Sequence, residues 1–217
     1  MTVYFISGLG ADERMFQKLM LPAHWNIRHL AWLPPQHKEP LAAYSKRMAQ
    51  SINTSEEFVL VGLSFGGMIA VEMSRLVSPK LIVLLSSVST RRELPSSFKW
   101  LGKLQINKLV PSFLFNRIYP FTYWFAGVKK REDKRALRDV ITGTSPRLFK
   151  WSVNKILNWK NEIRPNHLVH IHGTADRIFP IGKTKADIKV AGGGHLMVYT
   201  MPEEISPILI EAIESHQ

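Results

Sequence analysis

The chain has 217 residues, 45% apolar and 21% charged, which is the composition of one globular domain with a full core and excludes a disordered polymer. It has no cysteine, which excludes a disulfide framework, a thiol nucleophile and thiolate zinc sites. Its formal charge of +12 raises binding to nucleic acid or to an anionic surface as a class to test. In chain order, Val3–Ser7 is β-branched and aromatic and runs into Gly8-Leu9-Gly10, as a buried strand ending in a tight loop does. Arg14–Met20 is expected as a helix, with Asp12 as its N-cap and Glu13 in its first turn. Ile27–Leu33 is a second strand, Leu41–Ile52 a helix, Phe58–Leu63 a third strand and Met68–Leu76 a helix. Leu81–Val88, Leu168–His172 and Asp187–Ala191 complete a set of about six strands, and Glu203–Ser215 closes the chain as a helix. Alternation of this kind predicts an α/β protein with a mostly parallel sheet flanked by helices.

The charge is confined to one stretch. Between Arg91 and Arg164 stand 17 Lys and Arg against 5 Asp and Glu; the rest of the chain has 12 of each. The same stretch holds Trp100, Trp124, Trp151 and Trp159 and reads as helices broken at Pro111, Pro120 and Pro146. MTVYFISGLG lacks the basic start and cleavage site of a secretory signal, and no apolar run is long enough to span a membrane. A cytoplasmic protein is therefore expected.

Gly62-Leu63-Ser64-Phe65-Gly66-Gly67 fits G-x-S-x-G, and it lies directly between a strand and a helix. That context predicts a sharp turn that exposes the Ser64 hydroxyl at the carboxyl end of the sheet, over a helix N-terminus that favours developing negative charge. A serine needs a base to become a nucleophile, and the base needs an acid to orient it. Asp176 follows the fifth strand and His195 the sixth, so both fall at the same sheet edge as Ser64.

Through Gly8–Gly10, Gly62–Gly67, His172–Phe179 with Pro180, and Gly194-His195, the chain resembles the α/β-hydrolase superfamily. The resemblance implies Ser64 as nucleophile, His195 as general base and Asp176 as acid, with the backbone N–H groups of Leu9 and Phe65 as oxyanion hole. It also implies that residues 90–165 form an inserted basic, aromatic helical cap on a single domain spanning residues 1–217. This chain departs from the superfamily in three ways. Ser7 stands where a histidine is common, the two opening strands of larger members are absent, and only 19 positions separate Asp176 from His195.

His172 is read as a support or core residue, and His167 and His170 as a strand face; no metal is expected at them. Asp187 competes with Asp176 for the acid role but opens the sixth strand at the wrong end. Asp12 and Arg14 stand near the oxyanion loop, and helix capping explains them as well as substrate contact does. The expected activity is hydrolysis of an ester or thioester with a hydrophobic acyl or aromatic portion, by a two-step acyl transfer that needs no cofactor. Carbon–carbon cleavage, lyase chemistry or ligand sensing on the same fold are alternatives. The apolar, Lys-flanked stretch Leu109–Val128 adds a further one, contact of the cap with an anionic membrane or an anionic carrier. No nucleic-acid module accompanies the charge, so nucleic acid is not expected as a partner.

Overall fold

The computed structural model describes residues 1–104 and 120–216. The strands are β1 (Thr2–Ile6), β2 (Asn26–His29), β3 (Phe58–Leu63), β4 (Leu81–Leu85), β5 (Leu168–Gly173) and β6 (Ile188–Val190). They form one sheet in the order β2-β1-β3-β4-β5-β6, with every neighbouring pair parallel. The strand order reverses between β1 and β3, so the carboxyl ends of these two strands flank the switch point where such sheets bind ligands.

Side chains alternate across the sheet and divide the core in two. Val3, Phe5, Val61, Val83, Leu85 and Ile171 face one side, where α7 (Pro202–Glu214) covers them with Ile205, Leu209 and Ile213. Tyr4, Ile6, Leu60, Ile82 and Leu84 face the other, against α1 (Leu41–Ala49) and α2 (Phe65–Met73). Strands buried on both faces read as continuous apolar runs, which is why β3 and β4 are FVLVGL and LIVLL.

Several expected elements are shorter than their patterns: Leu41–Ile52 stops at Ala49, Leu81–Val88 at Leu85 and Asp187–Ala191 covers only Ile188–Val190, and two others change more. Arg14–Met20 is only a single 3₁₀ turn, Glu13–Phe16, because Met15 and Phe16 are the residues that bury while Met20 stays exposed. Asp12 does cap it, accepting from the Arg14 N–H at 3.1 Å. The second strand ends at His29, since beyond the Leu30 N–H bond to Phe5 O the chain leaves the sheet edge.

Between β4 and β5 the described residues form α3 (Ser96–Leu104), α4 (Pro120–Ala126), α5 (Arg131–Gly143) and α6 (Pro146–Leu157). Pro146 opens its helix, where a missing N–H costs nothing; Pro120 is the first described residue of α4, and Pro111 lies outside the described residues. Aromatic side chains tie this insertion to the sheet layers. The Trp151 indole donates to Glu39 O at 3.2 Å and its ring lies 4.4 Å from that of Tyr44. Trp159 donates to the buried Glu72 carboxylate of α2 at 2.7 Å, and Lys18 pairs with the buried Asp133 of α5 at 3.0 Å. Among the described residues no helix is long and apolar enough to cross a membrane.

The Trp159–Glu72 bond yields a stability prediction, because removing the donor leaves a buried carboxylate oxygen without its partner. Trp159→Phe is expected to cost about 1–3 kcal/mol in urea unfolding; an unchanged midpoint would show that this bond does not anchor the insertion.

Candidate active site

β3 ends at Leu63 and α2 begins at Phe65, so Ser64 alone makes the turn. Its backbone is at φ 53°, ψ −118°, a conformation that costs a non-glycine residue about 1–3 kcal/mol. Neighbouring groups hold it there. Ser64 N–H donates to Leu85 O at 2.9 Å, and the Ser87 hydroxyl donates to Ser64 O at 2.6 Å. The turn also requires contact without side chains, since a Cβ on Gly66 would lie 2.2 Å from Ile6 O and one on Gly62 would lie 2.4 Å from Gly67 Cα.

The loops after β5 and β6 bring the other two residues to Ser64, with no helix between the strands. His195 Nε2 is 2.8 Å from Ser64 Oγ, and His195 Nδ1 is 2.8 Å from Asp176 Oδ2. All three residues are buried. The carboxylate accepts further bonds on Oδ1 from the N–H groups of Ile178 and Phe179, at 2.8 and 2.9 Å. Burial pushes the Asp176 pKa up, but the His195 imidazole and the Phe179 N–H outweigh it and hold the carboxyl below its usual value. An ionised Asp176 accepts from Nδ1–H, which leaves the Nε2 lone pair aimed at the Ser64 hydroxyl. The array can therefore take a proton from Ser64.

Leu9 lies in the turn Gly8–Ala11, closed by the Ala11 N–H on Gly8 O at 3.0 Å, with Gly10 at φ 68°. This turn abuts the serine: a Cβ on Gly8 would stand 3.3 Å from Ser64 Cβ. Among the described residues neither the Leu9 nor the Phe65 N–H has an acceptor in the protein. Two unpaired donors beside Ser64 are what a developing oxyanion requires.

Ser64 and His195 open into a cavity of about 470 Å³ lined by Leu9, Phe98, Phe121, Phe125, Phe149 and Phe179, among others. Arg177 is the one Lys, Arg, Asp or Glu among the described lining residues. Its guanidinium is already engaged, 4.3 Å over the Trp124 ring and donating to Trp124 O at 2.7 Å. The end of α4 also meets the histidine loop, where Leu196 N–H donates to Ala126 O at 3.3 Å.

The remaining candidates have other partners. Asp187, at the amino end of β6, accepts from Arg164 and, at 2.7 Å, from the His170 N–H. Asp12 forms an ion pair with Arg14 at 2.7 Å, outside the residues lining the Ser64 cavity. His167 precedes β5. His172 donates from Nε2 to Phe179 O at 2.7 Å, which leaves Nδ1 to accept from His170 Nε2 at 3.0 Å. His172 thus acts as a support: it holds Phe179, whose N–H binds Asp176 and whose ring lies 5.5 Å from that of His195. The sequence pointed to an aromatic insertion beside Ser64 but did not single out Ser87, Phe98 or Phe149. The small-residue run Ser86–Ser89 after β4 is the signal for Ser87, whereas Phe98 and Phe149 carry none beyond being aromatic.

A sequence profile of the alpha/beta hydrolase family matches residues 3–208, and the chain belongs to that family. A thermophilic esterase from Thermogutta terrifontis superposes at a TM-score of 0.72 and 15% identity, over 100% of this chain and 90% of that one. An esterase from Exiguobacterium antarcticum gives 0.71 at 14% identity, over 99% and 92%. A meta-cleavage product hydrolase from Pseudomonas fluorescens IP01 gives 0.67 at 15% identity, over 100% and 92%. At these identities the likeness establishes the fold. Comparison with curated protein sequences finds no match.

The buried histidines set a pH dependence. Burial, together with the neighbouring His172 and Arg164, lowers the His170 pKa to about 3, and burial lowers that of His172 against the pull of Asp176. Both are neutral when folded, whereas the unfolded chain protonates them below about pH 6.5. The unfolded state then binds more protons, so this stability is full above about pH 6.5 and is lost as pH falls toward 3. The melting temperature is expected to drop between pH 6.5 and 4, with a shallower slope in His170→Gln; equal slopes would contradict this assignment.

Proposed function

We propose that the protein is a serine hydrolase of the carboxylesterase or thioesterase type, acting on substrates with a hydrophobic acyl or aromatic portion. The observation that carries this reading is the hydrogen-bonded Ser64–His195–Asp176 array opening into an apolar cavity. His195 Nε2 takes the Ser64 proton as Oγ bonds to the substrate carbonyl carbon, and the carbonyl oxygen gains the charge. The Leu9 and Phe65 N–H groups stabilise that oxyanion. As the intermediate collapses, the carbon–oxygen or carbon–sulfur bond breaks and His195 returns the proton to the leaving group. Water then adds to the acyl-enzyme with His195 again as base, and Ser64 is regenerated. The chain's own residues suffice for every step.

The insertion, residues 90–165, acts in this reading as a cap that shapes the acyl site. A carboxylate buried among the phenylalanines would lose its hydration, with Arg177 the one cation among the described lining residues and already bound to Trp124, while each methylene buried there gains about 0.8 kcal/mol. The cavity therefore favours neutral apolar acyl groups over charged ones.

Two measurements test the reading. A fluorophosphonate probe should label the wild type and leave Ser64→Ala unlabelled, and ester hydrolysis should fall by roughly 10⁴-fold or more in that variant. Along a series of straight-chain p-nitrophenyl esters, kcat/KM should rise by up to about fourfold per methylene until the cavity is full. Retained activity in Ser64→Ala contradicts the mechanism, and a flat series contradicts the acyl site. Labelling with no ester turnover moves the reading to carbon–carbon cleavage or ligand sensing.

A further inference from the structure

The turn that presents the Leu9 N–H is held from outside by a residue of the β2–α1 connection. The Trp32 indole Nε1–H lies 2.9 Å from Ala11 O and 3.0 Å from Ser7 Oγ. The Ser7 hydroxyl itself donates to Ala11 O at 2.8 Å, so the carbonyl of the last residue of the Gly8–Ala11 turn receives both donors. The same indole lies parallel to the Phe65 ring, with centroids 5.5 Å apart and planes 10° from each other. Phe65 is fully buried and packs in turn against Trp151 at 6.2 Å. One side chain therefore contacts both halves of the candidate oxyanion hole, bonding to Ser7 and Ala11 at the two ends of the loop that carries Leu9 and stacking on the side chain of Phe65.

We propose that Trp32 is a positioning residue for the oxyanion hole: with Ser7 it fixes the Leu9 N–H relative to the Phe65 N–H. This rests on the serine-hydrolase reading above. The physical need is clear, because an oxyanion donor stabilises charge only if it is oriented before the charge forms, and losing one donor outright costs about 10²–10³ in rate. The Leu9 donor sits in a four-residue turn anchored to β1 at one end. Ser7 reaches only Ala11 O at the far end of this turn, because a serine hydroxyl is too short to extend beyond it. The indole supplies the longer strut.

The test compares the rate of fluorophosphonate labelling of Ser64, resolved into a maximal rate and an apparent affinity, in wild type, Trp32→Phe and Ser7→Ala. Trp32→Phe keeps an aromatic ring against Phe65 and removes the N–H. Ser7→Ala leaves the indole alone on Ala11 O. The maximal rate is expected to fall roughly tenfold in Trp32→Phe and by a smaller factor in Ser7→Ala, with apparent affinity unchanged. A merely structural role would lower the melting temperature and leave the maximal rate intact, and that result overturns the assignment. If Trp32→Phe does not fold, an unaltered maximal rate in Ser7→Ala overturns it instead. A wild type that takes no label overturns the serine-hydrolase reading and this assignment with it; a labelled wild type matched by both variants overturns this assignment alone.

Discussion

Ser64 is held at a positive φ between β3 and α2, and the geometry of the site follows from that one strained residue. The strain of about 1–3 kcal/mol persists because the surroundings leave no alternative. α2 is pressed onto the end of β1, where only Gly66 fits, and β4 grips the Ser64 backbone through Leu85 O and Ser87 Oγ. The turn sets three things together: Oγ faces His195, the Phe65 N–H is left unpaired, and α2 points its N-terminus at the same spot. The parallel sheet supplies the rest, since the loops bearing Leu9, Asp176 and His195 all leave carboxyl ends of strands.

The +12 charge belongs to the insertion, yet the residues that hold the insertion in place are mostly apolar and aromatic. α5 shows the division. Leu137, Val140 and Ile141 join the core, while Arg131, Arg135 and Arg138 face solvent. Trp151 and Trp159 dock on α1 and α2, Phe98, Phe121, Phe125 and Phe149 line the cavity, and Trp100 and Trp124 are exposed. One stretch of aromatics thus does three jobs that composition cannot separate.

The parallel sheet, the elbow and the convergence of Ser64, Asp176 and His195 were legible because each rests on local pattern: buried strands as apolar runs, glycines where backbones touch, and loops that follow strands. The same local signals overstated Arg14–Met20 and Ile27–Leu33, where tertiary burial stops at Phe16 and the sheet edge stops at His29. Trp32 was not legible. Its bonds span 21 and 25 positions and depend on how the chain leaves β2, which no periodicity encodes. The His170–His172 pair was visible only as alternation, because its meaning lies in Phe179 O and Asp176 beneath His195.

The proposed chemistry turns on His195 activating Ser64 to form a covalent acyl intermediate. Its most direct test is acid-quenched intact-mass analysis and peptide mapping of the protein mixed with an apolar p-nitrophenyl ester. One acyl group is expected on the peptide carrying Ser64 in the wild type, forming far more slowly in His195→Ala. Turnover of the ester with Ser64 never acylated, or acylation at full rate without His195, would contradict it.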